Sequence, residues 1–478
     1  MRPSPKPTWE QFKALPEPEQ KAVFEQLIGL IDIVASLRIE VDELKAKLAK
    51  NSRNSSKPPS SDGPAKRTMS SRESTGRKPG GQPGRSGATL MQVENPDEVI
   101  LHAAPGQCLG CAAVLGEASH VERRQVFDLP QIIARVVEHR CEVKCCQACG
   151  QRSSGAFPDG VVAPAQYGEN VKTLSAYLHA HQLLPFDRVA QLFADVFSLP
   201  LSPATVEKSV RAAASNVESQ CEAIKAALIR ERVAHFDETG LRCGGKRIWL
   251  HSASSDRYAY YAAHANRGLK ATDEIGIFAR FRGVAVHDAW APYWSNEKCL
   301  HALCNAHHLR ELRFLFEHAK EAWAGIMKAL LSEMRDAVAA FRIEGCSRLP
   351  KFLIRDFESR YDLALEAGFA HHDALRPLTG SKQRPGKNLI DRLELRKQEA
   401  LRFMHRFSVP FTNNLAERDL RMQKVKEKIS GCFRTVAGAT AFFLLRTYVV
   451  TARKQGGNAY AAILAAVRGQ ALALAPRT

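Results

Sequence analysis

Three carboxylates stand out by residue type and setting. Asp237 closes the apolar run that starts at Val233, and Asp288 closes the one that starts at Gly283, so each ends a stretch that reads as a β-strand. A carboxylate there can face one on a neighbouring strand and clamp Mg²⁺ through hard oxygen ligands. Strand ends also favour aspartate as a turn former, so neither residue is diagnostic by itself. Glu417 lies near the start of an amphipathic helix. Leu415, Met422, Val425 and Ile429 project to one side of it, and Glu417, Arg421, Lys424 and Lys428 to the other. An acid heading a stripe of bases suits a metal ligand facing DNA phosphates. Two readings compete: a solvated helix face, and a capping box with Asn414 as N-cap and Glu417 three residues on.

A second chemistry is carried by thiols. Cys108-x2-Cys111 is followed, after 34 residues, by Cys146-x2-Cys149. Two such knuckles supply four thiolates to one tetrahedral structural Zn²⁺. Cys141 and Cys145 lie close enough in sequence to displace Cys146 from the set. Six of the twelve cysteines fall between Cys108 and Cys149, which in a reducing compartment points to metal rather than to a disulfide scaffold.

The elements that must position these groups follow from composition and periodicity. Leu27, Val34, Val41 and Leu48 are spaced by seven, with Leu30, Leu37 and Leu44 interleaved. Valine at a and leucine at d favour a parallel two-stranded coiled coil, so a homo-oligomer is expected; packing on the helix's own chain is the alternative. From Lys50 to Gly87 the chain is proline-rich and polar, with nine Lys or Arg against two acids. Arg77, Lys78 and Arg85 could lie along a DNA minor groove, and a solvated linker is compatible with that. Further on, Arg188–Phe197 and the segment after Ser202 read as two helices, with Ser202 as N-cap and Pro203 in the first turn. They resemble a helix-turn-helix. Strands are expected at 233–237, 247–251, 258–262, 283–288 and 298–303, with a helix at 270–281. A long helical stretch from 305 to 406 precedes the helix of Glu417.

At 478 residues the chain exceeds one ordinary core. No apolar run approaches the about 18 residues of a membrane span, and the N-terminus has no apolar signal core. The expectation is a cytoplasmic protein without membrane contact. A net charge of +18 suits a polyanionic partner without identifying it.

Together these motifs resemble the insertion sequence 66 transposases over nearly the whole chain. The resemblance rests on the Asn-Ser-x-Asn-Ser-Ser-x-Pro-Pro-Ser-Ser-Asp run ending at Asp62, the Arg-Lys-Pro-Gly-Gly-Gln-Pro-Gly run from Arg77, and the paired knuckles. It also rests on Asp-Glu-Thr at Asp237, Asp-Ala-Trp at Asp288, Asn413-Asn-Leu-Ala-Glu-Arg418, Gly431-Cys-Phe-Arg-Thr435 and Arg453-Lys-Gln-Gly456. It implies a ribonuclease-H-like catalytic domain whose Asp-Asp-Glu site is Asp237, Asp288 and Glu417. Two Mg²⁺ or Mn²⁺ ions about 4 Å apart would serve an in-line displacement there. Water would cleave at the transposon end, and the freed 3′-hydroxyl would attack target DNA. The implied partners are double-stranded DNA, at the element ends and the target, and small accessory proteins of the same element; the implied location is the bacterial nucleoid. Glu417 follows Asp288 by 129 positions, which implies a helical insertion. Cys304 and His307 at its start are read as structural.

The expected architecture is multidomain α+β. It comprises a coiled-coil helix (1–50), a basic linker (51–100), a zinc-binding unit (101–155) and helix-turn-helix-like helices (160–228). A ribonuclease-H-like α/β domain (229–304) follows, then a helical insertion (305–408) and the catalytic helix with the C-terminal region (409–478). The rival function is a DNA-binding regulator, or a decayed copy that grips DNA without cutting it.

Overall fold

The computed structural model describes residues 8–49, 90–118, 120–129, 133–375 and 383–471. Arg77, Lys78 and Arg85 lie outside the described residues. The chain forms two compact units: one from the described residues within 1–71, 163–189 and 202–478, the other from those within 72–162 and 190–201.

The first helices are α1 (Trp9–Lys13) and α2 (Glu17–Ala49). The residues of the heptad seam form a helix as expected, and all seven are exposed. In the second unit, β1 (Val143–Cys145) pairs antiparallel with β2 (Arg152–Ser154). Then come α3 (Glu169–Ala180), α4 (Phe186–Phe197), α5 (Pro203–Ser215) and α6 (Glu218–Ile229). Ser202 caps α5 as expected, its hydroxyl accepting the Thr205 N–H at 3.1 Å.

The sheet is built from β3 (Val233–Cys243), β4 (Lys246–Ser254), β5 (Ala259–His264), β6 (Val284–His287) and β7 (Leu300–Leu303), with α7 (Leu269–Ile275) between β5 and β6. Its order is β5-β4-β3-β6-β7. The first three strands form an antiparallel meander, and β6 and β7 run parallel to β3. Gly244 and Gly245 close the β3–β4 hairpin, both with positive φ, as a two-residue turn matched to strand twist requires.

Five helices follow β7: α8 (Asn305–Glu317), α9 (Ala322–Ile343), α10 (Lys351–Asp373), α11 (Pro385–Leu395) and α12 (Lys397–His405). They enclose one apolar cluster that includes Val284, Val286 and Ala302 of the sheet, so the insertion packs directly on β6 and β7. The chain then enters α13 (Asn414–Ser430), α14 (Val436–Lys454) and α15 (Ala459–Val467). Residues of α3, α5, α14 and α15 share a second cluster with Leu241, Leu250 and Tyr261 of the sheet. A third cluster joins Ile224 and Leu228 of α6 to Phe236, Phe278 and Phe281. No helix among the described residues is long and apolar enough to cross a membrane.

Candidate active site

Asp237 lies within β3 rather than at its end. The strand continues to Cys243 because the hairpin partner β4 keeps pairing with it. Pairing with β6, however, covers only residues 233–235, the last pair being His235 with Val286. Carried two residues on, that register sets Asp237 level with Asp288, which directly follows β6. The carboxylates therefore emerge where two parallel strands part.

Glu417 comes from α13, which is fixed along β3. The Asn413 side-chain amide donates to the Phe236 carbonyl at 2.8 Å, and its oxygen pairs with His235 Nδ1 at 2.8 Å. Burial lowers His235 to about 4, so its neutral ring donates here. The Asn413 N–H reaches Cys304 Sγ at 3.1 Å. Further along, Lys424 Nζ donates to the Gly240 carbonyl at 2.7 Å, so helix and strand advance together.

Two expectations for α13 are corrected. The capping box is not formed: the cap is Asn413, not Asn414, and its side chain makes no capping bond because it holds β3. The expected apolar side is not the buried side. Met422 and Ile429 are exposed, and the helix packs through Ala416, Leu420, Gln423 and Lys426. The tie at Asn413 and the Lys424 bond to β3 set the rotation, and the close strand favours a small residue such as Ala416. Arg421 and Lys428 remain exposed, while Lys424 is half-buried and also 3.3 Å from Glu427.

The electrostatics show that the carboxylates share one region. Asp237 is raised well above the ordinary carboxylate range, first by desolvation and then by the charges of Glu238, Asp288 and Glu417. Asp288 is raised by desolvation and by Glu238, against lowering by the Trp290 N–H, Arg267 and Arg392. Arg392 belongs to the insertion, so α11 faces this site too.

Glu417 also meets α8. Its Oε1 lies 3.9 Å from His307 Nδ1 and 4.0 Å from Arg310, and neither that oxygen nor His307 Nδ1 has a hydrogen-bond partner among the described residues. The ligand atoms of Cys304, His307 and Glu417 fall within 4.8 Å of one another, the one such group among the described residues. A cation there would sit beside the Arg310 guanidinium, so the arrangement suits orienting Glu417 better than holding an ion alone. Asp237, Asp288 and Glu417 do not close to that separation.

Sequence reasoning missed three participants. Glu238, almost fully buried, accepts Arg267 at 2.7 Å and the Tyr293 hydroxyl at 2.6 Å. Asn413 was hidden in an Asn-Asn doublet, and Arg310 was marked only by its one-turn spacing from His307.

The thiol knuckles form in the second unit with matching backbones. Cys108 N–H donates to Ala113 O and Ala112 N–H to Cys108 O; Cys146 N–H donates to Gln151 O and Gly150 N–H to Cys146 O. Ala112 and Gly150, each four residues after its cysteine, both have positive φ. In each knuckle the first thiol is lowered, Cys108 mainly by the N–H groups of Gly110 and Cys111, Cys146 by those of Cys149 and Ala148. The turn starts at Cys146, while the Cys145 thiol donates to Gly150 O at 3.3 Å. The four sulfurs of the two knuckles are not gathered within one ion's reach.

The chain is a mixed α/β protein with a five-stranded sheet and a helical insertion between β7 and α13. Residues 164–441 match the model of the transposase IS66 family, more than half of the chain, and the protein belongs to that family. Residues 5–91 match a second model, a family of unknown function, DUF6444. No curated protein matches the chain.

Proposed function

We propose that this protein is a DNA transposase that cleaves and joins phosphodiesters at an Asp-Asp-Glu site formed by Asp237, Asp288 and Glu417. The observation that carries the reading is the β3–β6 register, with Asp237 and Asp288 level where the strands part and α13 bringing Glu417 to the same region. The strand order, with an antiparallel meander and two parallel strands beside its first member, supports a ribonuclease-H-like core. The residues fit a divalent cation: the donors are hard oxygens, burial and then neighbouring negative charge raise Asp237, and one oxygen of Glu417 has no hydrogen-bond partner among the described residues. Two Mg²⁺ or Mn²⁺ ions, when bound, supply activation of the attacking oxygen and stabilisation of the leaving one.

The chain's own residues do the rest. Asn413 holds the distance between α13 and β3, while His307 and Arg310 restrain Glu417 from behind. Arg421 and Lys428, with the basic segment carrying Arg77, Lys78 and Arg85, neutralise phosphates of double-stranded DNA. The helices of residues 160–228 contribute to DNA contact. The heptads of α2 join two copies, and one Zn²⁺ on Cys108, Cys111, Cys146 and Cys149 braces the small unit. Accessory proteins of the same element complete the assembly.

The test is incubation of the purified protein with duplexes taken from the DNA flanking its own gene. Cleavage at a fixed position that requires Mg²⁺ supports the reading. DNA binding without cleavage, under any divalent cation, supports the regulator instead.

A further inference from the structure

We propose that the cleft between the β3–β4 hairpin and α13 is a nucleotide pocket, which takes one unpaired nucleotide of the DNA strand beside the active site. This inference rests on the transposase reading and adds a substrate feature to it: a base outside the duplex.

The cleft has a volume of about 540 Å³, within the roughly 300–1,000 Å³ of ligand sites. Its lining combines bases and an aromatic ring. Arg242 and Arg247 are directly opposite in the antiparallel pair, and both are exposed. Like charges so placed destabilise a sheet, and neither side chain has an ion-pair partner among the described residues. Lys424 adds a third positive charge, only partly offset by Glu427. An arrangement that costs stability in the free protein suits an anion such as a phosphate.

Trp249 also lines the cleft, opposite Gly240. Glycine sets no side chain against the half-buried ring; a Cβ on Gly240 would stand 3.7 Å from it. The Trp249 ring is held in place. The Arg267 guanidinium lies 4.9 Å from the Trp249 centroid and 4.5 Å from that of Trp290, and Glu238 anchors the same guanidinium. A fixed indole beside cationic groups is what base stacking requires.

Position completes the argument. Gly240 lies three residues along β3 from Asp237, about 10 Å at the usual strand rise. Lys424 lies seven residues along α13 from Glu417, again about 10 Å. The odd step along β3 puts Gly240 on the face opposite Asp237, while Glu417 and Lys424, two turns apart, share one face of α13, so it is the helix that leads from the carboxylates to the cleft.

The probe is a random-sequence duplex, blunt or carrying a short unpaired tail with 2-aminopurine, bound to the full chain. The unmodified protein is expected to bind the tailed duplex at least roughly fivefold more tightly than the blunt one and to quench the 2-aminopurine. Trp249→Ala and Gly240→Leu, the latter filling the cleft, should lose the preference and the quenching while blunt-duplex affinity stays. Arg242→Gln with Arg247→Gln, both on the surface and harmless to folding, should lose the preference too. Equal binding of the two duplexes, or a preference that survives these changes, overturns the pocket alone. Failure to bind either duplex overturns the transposase reading and the pocket with it.

Discussion

The side-chain amide of Asn413 meets the carbonyl of Phe236 at 2.8 Å, four residues before Glu417 on one element and one residue before Asp237 on the other. Nothing lies between this bond and the two carboxylates but a single turn of helix and one peptide, so it sets their separation. Replacing Asn413 by Ala leaves the Phe236 carbonyl and His235 without their partner in a buried place. Stability should fall by roughly 1–3 kcal/mol, and cleavage should fall further than DNA binding does. Chemical denaturation and cleavage assays on the same preparation measure both. Loss of stability with unchanged cleavage per folded molecule would show that the bond does not set the geometry.

Asp288→Asn keeps the shape of the side chain and removes one negative charge from the proposed clamp. Cleavage should drop by several orders of magnitude while DNA binding survives, since binding rests on phosphate contacts elsewhere. Asp237→Asn and Glu417→Gln should behave alike. Because no capping box involves Glu417, its glutamine variant has no helix-start bond to lose, and an active Glu417→Gln protein would sink the assignment.

Zinc binding should distinguish neighbouring cysteines. The turn that repeats the Cys108 knuckle starts at Cys146, and Cys145 is occupied by Gly150 O. Elemental analysis is expected to find about one zinc per chain in the unmodified protein and in Cys145→Ser. Cys146→Ser should lose it, and equal zinc in the two variants would reject this ligand set.

The exposed seam of α2 should make the dimer. Leu37→Lys with Leu44→Lys puts charge into two d positions, and light scattering should then report half the mass. Unchanged mass would assign self-association, or its absence, to other surfaces.

Lys426 gives the protein a specific pH response. Burial lowers it from 10.5 to about 8, against raising by Cys432, Glu427 and Cys243; its amine donates to Gly431 O at 2.9 Å and lies over Phe433. Between those two values the unfolded chain holds the proton more fully than the native one does. Stability therefore gains a rising contribution with pH across that window and carries a penalty below it. Lys426→Met should remove that rise. Denaturation midpoints of both proteins across the window test it, and parallel curves would contradict it.

Much of this protein is set by local pattern. The order of strands and helices from Val233 to Ser430 follows from alternation and helical periodicity, which report on each segment by itself. The two knuckles follow from Cys-x2-Cys spacing, and Asp237, Asp288 and Glu417 stand out as candidates through short motifs in a fixed order. Tertiary packing decided the rest. Which side of α13 is buried depends on the strand it meets, so Ala416 and Gln423 face inward while Met422 and Ile429 do not. The length of β3 beyond Asp237 depends on a hairpin partner, and the cap at Asn413 on a carbonyl 177 residues away in sequence. The surroundings of Glu238, of Arg310 and of the cleft at Trp249 likewise come from neighbours distant in the chain. Periodicity encodes a segment's own conformation, but a shared site depends on which segments meet, and that is fixed by the packing of the whole core.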